Sequence, residues 1–85
     1  MKIRWTPTAA RHLQAIQDHI AEDNPAAAGR VTRSIRQRVD LLRQHPHAGR
    51  PGRIDETREL IIPGLPFIVA CGVIADNVAI LAVLH

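Results

Sequence analysis

Arg50, Arg53, Arg58, Glu59 and His85 are the side chains of this sequence whose types suit phosphate chemistry. RNA cleavage without a metal needs a base for the ribose 2′-hydroxyl, a cation for the phosphorane and an acid for the leaving oxygen. Arg50 and Arg53 fall in a Gly/Pro loop that can approach a nucleic-acid backbone. Arg58 opens a strand-like run and His85 closes one, so the edge of a sheet could grip phosphate with this set. The simpler reading is that the arginines solubilise a loop and His85 is an ordinary terminal residue. Scarce aromatics favour it: Trp5 and Phe67 are the only ones, and most readers of single-stranded RNA stack bases on aromatic rings.

Other chemistries find less support. His12 and His19 sit two helical turns apart, too far to share an ion, and His45 and His47 flank the stiff Pro46 with no Cys or carboxylate beside them. No metal site is expected, and no cofactor. Ser34 is the only serine; it lies mid-helix without a motif that presents a nucleophile. No glycine-rich strand–turn–helix for a dinucleotide is present. Cys71 stands alone, which excludes an internal disulfide and fits a reducing, cytoplasmic setting. Its apolar neighbours predict a buried, inert thiol. No signal-peptide core or membrane-spanning run is evident.

The net charge of +3 is unevenly spread. Residues 24–53 carry seven arginines against Asp40 alone, whereas residues 54–85 carry Arg58 against Asp55, Glu56, Glu59 and Asp76. A concentrated basic segment suits an anionic partner, either nucleic acid or an acidic protein segment. A small DNA-binding module using the second-helix arginines is one such reading. A solvated helix face with a basic loop is the plain alternative.

The elements that would position these residues read clearly. Lys2–Trp5 predicts a short strand. Thr6-Pro7 starts a helix, with Thr as N-cap and Pro at the first helical position, and Ala9, Leu13, Ile16 and Ile20 form its apolar stripe. Asn24-Pro25 repeats the start signal, so the two helices form an antiparallel hairpin. The second helix runs from Pro25 to about Gln44, with Ala28, Val31, Ile35, Val39 and Leu42 facing one way and Arg33, Arg36, Asp40 and Arg43 the other. Arg38 falls inside the apolar stripe and must snorkel to an edge or reach into a cleft. His45-Pro46 ends the helix. A loop to Thr57 follows, then a strand over Arg58–Ile62, a Pro63-Gly64 turn, an apolar run over Leu65–Ile74, a turn at Ala75–Asn77 and a last strand over Val78–Leu84. The order is βααβββ: a single α+β domain over residues 1–85, with a helical hairpin packed on a small, antiparallel-rich sheet.

In this order, IRWTPTAARHLQAIQDHI, DNPAAAGRV, LLRQHPHAGRPGR, TRELIIPGLPFIV and VAILAVLH resemble the RelE/ParE superfamily of type II toxins. The resemblance implies the βααβββ fold and a small, basic cytoplasmic toxin. It also implies a cognate antitoxin, acidic or amphipathic, that wraps the toxin and carries the complex to operator DNA. RelE-like members cut mRNA in the ribosome, whereas ParE-like members bind and poison DNA gyrase. The cleaving branch carries a catalytic arginine after an aromatic where this chain has Ile68 after Phe67. Many relatives have Tyr-Arg where Cys71-Gly72 stands here, and many continue past the last strand with a basic, aromatic tail. The ParE-like branch is therefore the expected one, with inhibition of gyrase by binding.

The alternatives are a ribosome-dependent endoribonuclease using Arg50, Arg58 and His85, and an inactive or shortened toxin that only binds its antitoxin. In either active reading Arg50, Arg53 and Arg58 are the candidate contacts to target or phosphate. Arg33, Arg36 and Arg43 are the candidate contacts to an antitoxin helix lying in a groove between the helical hairpin and a sheet edge.

Overall fold

Two Xaa-Pro pairs fix both helices in the computed structural model, which describes all of residues 1–85. Strand β1 (Lys2–Trp5) leads into helices α1 (Pro7–Asp23) and α2 (Pro25–Asp40). The Thr6 hydroxyl accepts from the Ala9 N–H at 3.2 Å. Asn24 serves both helices. Its N–H donates to the Ile20 carbonyl at 2.9 Å, ending α1, and its Oδ1 accepts from the Ala27 N–H at 3.0 Å, starting α2. From this one-residue link the two helices pack on each other as a hairpin. Past Asp40 the helix tightens into a 3-10 turn at Leu41–Arg43.

Strands β2 (Arg50–Pro51), β3 (Thr57–Ile61), β4 (Ile68–Ile74) and β5 (Asn77–Leu84) complete one sheet in the order β1-β5-β4-β3-β2. β1 runs parallel to β5 because the hairpin carries the chain back across the sheet; the other pairs are antiparallel. The expected α+β class holds, with two differences. The segment expected as loop contains β2, and Pro51 is tolerated there because the strand is an edge. Leu65–Phe67, expected to open the long strand, instead form a turn in which the Ile62 N–H donates to the Phe67 carbonyl at 3.3 Å and the Leu65 N–H to the Ile62 carbonyl at 3.2 Å. Pro66 has no N–H for a ladder, and Gly64 holds φ at 77°, open to glycine at no steric cost.

The helices cover one face of the sheet. Leu13, Ile35, Val39 and Leu42 meet Leu60, Val69, Val78 and Ile80 in a core where each is at most 2% exposed. Burying an aliphatic side chain of this kind contributes about 1.5–3 kcal/mol. Arg38 does snorkel: it is half-buried, and its Nε donates to the Ile61 carbonyl at 3.3 Å on the edge of β3 that β2 leaves uncovered.

A bulge between β4 and β5 leaves Leu81 outside the pairing. β1 stops opposite Ile80, and beyond it the flank of β5 would be bare. The Thr6 N–H and hydroxyl donate to the Ile80 carbonyl at 3.1 and 2.7 Å, and His12 Nδ1 accepts the Val83 N–H at 3.1 Å. The start of α1 thus replaces the missing strand.

Candidate functional site

Strand register decides where the loop arginines go. Arg50 stands opposite Glu59, and its Nε and Nη2 hold Glu59 Oε1 at 3.2 and 3.1 Å. Arg58 is the next residue along β3 from Glu59, so alternation turns it to the other face. There it lies opposite Cys71, and its Nη1 donates to the Gly49 carbonyl at 2.9 Å. His85 lies past the end of β5, with its ring edge-on to Phe67 at 5.5 Å and 69°. Arg58 is level with Ile80 through Cys71. The run from Ile80 to His85 covers ~15 Å at about 3.3 Å per residue. Arg50, Arg58 and His85 are therefore distributed over two faces and two ends of the sheet. Arg53 is exposed in the loop between β2 and β3.

Arg58 does line a cleft of about 400 Å³ with His47, Pro51, Glu56, Cys71 and Val73. Burial pushes the Cys71 thiol up from its ordinary value of 9.0, with the Arg58 charge opposing part of that rise. A buried, protonated thiol is a poor nucleophile, so the cleft contains no activated attacking group. No three His, Cys, Asp or Glu side chains come close enough to hold a metal ion, and no helix is long and apolar enough to cross a membrane.

The helical hairpin has two unlike sides. On one, Arg33 and Arg36 line a shallow depression with Gln37 and Asp40. Arg43 Nε pairs with Asp40 Oδ1 at 2.6 Å, and the Arg36 guanidinium lies 5.5 Å over the Trp5 ring. On the other side, Ile16, Ile20, Val31, Leu65, Phe67 and His85 line an apolar groove of about 640 Å³. Val31 and Arg33 are ~200° apart around α2 at about 100° per residue, which accounts for the separation. Arg33 and Arg36 thus lie on a different surface of the hairpin from the apolar groove. The sequence points to a groove beside the hairpin but not to its Leu65–Phe67 wall, which reads as strand; Pro66 is the signal against that. The Trp5–Arg36 stack and the His12 bond join segments distant in sequence, and no local pattern announces either.

A helical hairpin on a five-stranded, mostly antiparallel sheet is an architecture with a solved counterpart. A solved chain from the chromosomal ParDE TA system of P. aeruginosa matches it with a TM-score of 0.91 and 31% identity, over 98% of this chain and 92% of that one. Residues 3–85 match the family model of the ParE toxin of the type II toxin-antitoxin system parDE. The chain belongs to the ParE toxin family. It is the toxin of a ParDE-type system, and the family implies an antitoxin partner. Among curated relatives, Y4kP of Sinorhizobium fredii, whose name classes it with toxins, is 45% identical over 99% of this chain and 86% of its own length. Toxin RelE2 of Caulobacter vibrioides is 27% identical over 99% of this chain and 93% of its own.

Proposed function

We propose that this toxin arrests growth in the cytoplasm by binding DNA gyrase, without cutting RNA itself, and that a cognate antitoxin neutralises it. The carrying observation is the dispersal of Arg50, Arg58 and His85. Arg50 is paired to Glu59, Arg58 to a backbone carbonyl, and His85 packs on Phe67. Metal-free RNA cleavage needs base, cation and acid within hydrogen-bond reach of one phosphate, and these groups are on different faces. A toxin of this shape acts through surface.

Two antitoxin contacts follow from the two sides of the hairpin. An amphipathic helix lays its apolar side chains into the groove between α1 and Leu65–Phe67. A separate acidic stretch runs along Arg33, Arg36 and Arg43 and steers the encounter. A wrapping antitoxin reaches both, and its DNA-binding part takes the complex to operator DNA.

In the test, purified toxin is added to a gyrase supercoiling reaction, with and without its antitoxin. Inhibition that antitoxin relieves is the expected result; full supercoiling at saturating toxin refutes the gyrase reading. The similarity to RelE2 gives the competing reading, in which the ribosome draws Arg50, Arg58 and His85 onto mRNA. That reading requires replacement of the three by alanine to abolish toxicity.

A further inference from the structure

The face of the sheet turned away from the helices has no cover. Ile61, Ile68, Ala70, Ala82 and Leu84 alternate with the core residues Leu60, Val69 and Val83 and so point outward. Ile61 is 50% exposed, Leu84 47% and Ile74 58%. Ile61, Ile68 and Leu84 pair across three adjacent strands and form one apolar row at the end of the face. Beyond it the paired residues are small, Ala70 opposite Ala82 and Gly72 opposite Ala79, and the bulged Leu81 side chain reaches over Gly72. Lys2 and Arg4 bound the face on β1, since Ile3 and Trp5 turn inward to the core. On the far side Glu59 is already paired with Arg50 on the face, and Asp55 and Glu56 precede β3.

We propose that this face binds a second copy of the chain, sheet against sheet, about a two-fold axis parallel to the strands. Shape favours this occupant. The face is ~20 Å across, from strands about 4.8 Å apart, which is wider than a single helix of about 10 Å. A broad sheet surface of aliphatic side chains suits another sheet packed ~10 Å away. Charge favours it too. The axis lays each copy's Lys2–Arg4 edge over the start of the other's β3, where Asp55 and Glu56 stand, and sets each Ile61–Ile68–Leu84 row against its equivalent. An acidic antitoxin is drawn instead to the basic strip on the hairpin, on the opposite side of the molecule. The contact is isologous and closes on itself.

The edges of the sheet are poorer candidates. β2 carries Pro51 and β1 carries Lys2 and Arg4, devices that blunt strand addition. The face, ~20 Å in each direction, buries on the order of 800–1,000 Å² over both copies. That is below the roughly 1,200 Å² at which stable interfaces begin, so the dimer is weak and reversible.

Sedimentation equilibrium of the purified chain from about 1 to 200 μM tests this. The expected result is a monomer–dimer equilibrium with a dissociation constant on the order of 10 μM, as befits a small interface. Ile61→Glu and Leu84→Glu change exposed positions and leave the core intact, which far-UV circular dichroism checks; each is expected to weaken the dimer at least tenfold. The Lys2→Glu/Arg4→Glu chain and the Asp55→Lys/Glu56→Lys chain are each expected to be monomeric alone and to pair when mixed. A wild-type chain monomeric throughout the range overturns the proposal, as does a dimer that survives both glutamate substitutions. If Ile61→Glu weakens antitoxin binding while the wild-type chain stays monomeric, the face belongs to the antitoxin.

Discussion

His12 carries more of the fold than its place on a helix suggests, and replacing it gives a sharp test. Its Nδ1 accepts the Val83 N–H at 3.1 Å, and Val83 is only 5% exposed. β1 ends opposite Ile80, so no strand stands by to take over this donor. His12→Leu keeps the bulk and removes the acceptor. A buried donor left without a partner costs about 1–3 kcal/mol. The leucine recovers part of this by burying apolar surface, leaving a net loss of about 1–2 kcal/mol. A domain of this size has a total stability of ~4–13 kcal/mol, so the change is a sizeable share. At about 4–8 °C per kcal/mol the midpoint of thermal unfolding falls by ~5–15 °C. His12→Gln can present a carbonyl oxygen to the same N–H and is expected to restore at least half the loss. Urea unfolding followed by circular dichroism gives the energies, and hydrogen exchange at the Val83 amide gives the site. If His12→Leu stays within ~0.3 kcal/mol of wild type, or the Val83 amide exchanges no faster, the imidazole does not cap β5 and the reasoning fails.

Three further outcomes are expected. Because burial raises the Cys71 thiol above its ordinary 9.0, its stabilising share is fully present below that pH and is lost as pH climbs through the folded-state value; unfolding titrations from pH 8 to 11 should show a fall that Cys71→Ala lacks, and parallel curves would remove the assignment. A Cβ at Gly49 would stand 2.8 Å from the Glu59 carbonyl oxygen, so Gly49→Ala forces β2 off β3 and should cost at least ~1 kcal/mol, as backbone strain at a closely packed glycine does; unchanged urea stability would contradict that packing. Ile20→Asp puts a charge into the apolar groove and is expected to slow no encounter but to speed dissociation of the antitoxin at least tenfold, as losing a buried anchor does, read by surface plasmon resonance; an unaltered off-rate would exclude the groove as the helix's seat.

Local signals wrote much of this fold. Thr6-Pro7 and Asn24-Pro25 declare both helix starts, and each cap is made by the residue the sequence nominates. The apolar spacing of Leu13, Ile35, Val39 and Leu42 names the core face correctly. Pairing was harder to foresee. β2 is a strand of two residues, one of them proline, and it exists only because β3 offers an edge. Whether Arg50 and Arg58 share a face depends on which residue meets Glu59, a fact of register that neither segment encodes alone. The same holds for the hairpin: the spacing of Val31 and Arg33 already placed them on opposite sides, but only the fold shows that one side becomes a groove and the other a basic strip. At His12 the sequence raises only the question of a metal ligand, since nothing local tells of a bare amide 71 residues away.

A toxin that works by binding leaves cellular RNA uncut. Mapping 5′ ends of cellular mRNA after inducing the chain without its antitoxin tests that most directly. Growth should stop while mRNA ends stay as in uninduced cells. New ends at fixed codon positions, appearing with the arrest and lost when Arg50, Arg58 and His85 are replaced by alanine, would contradict it.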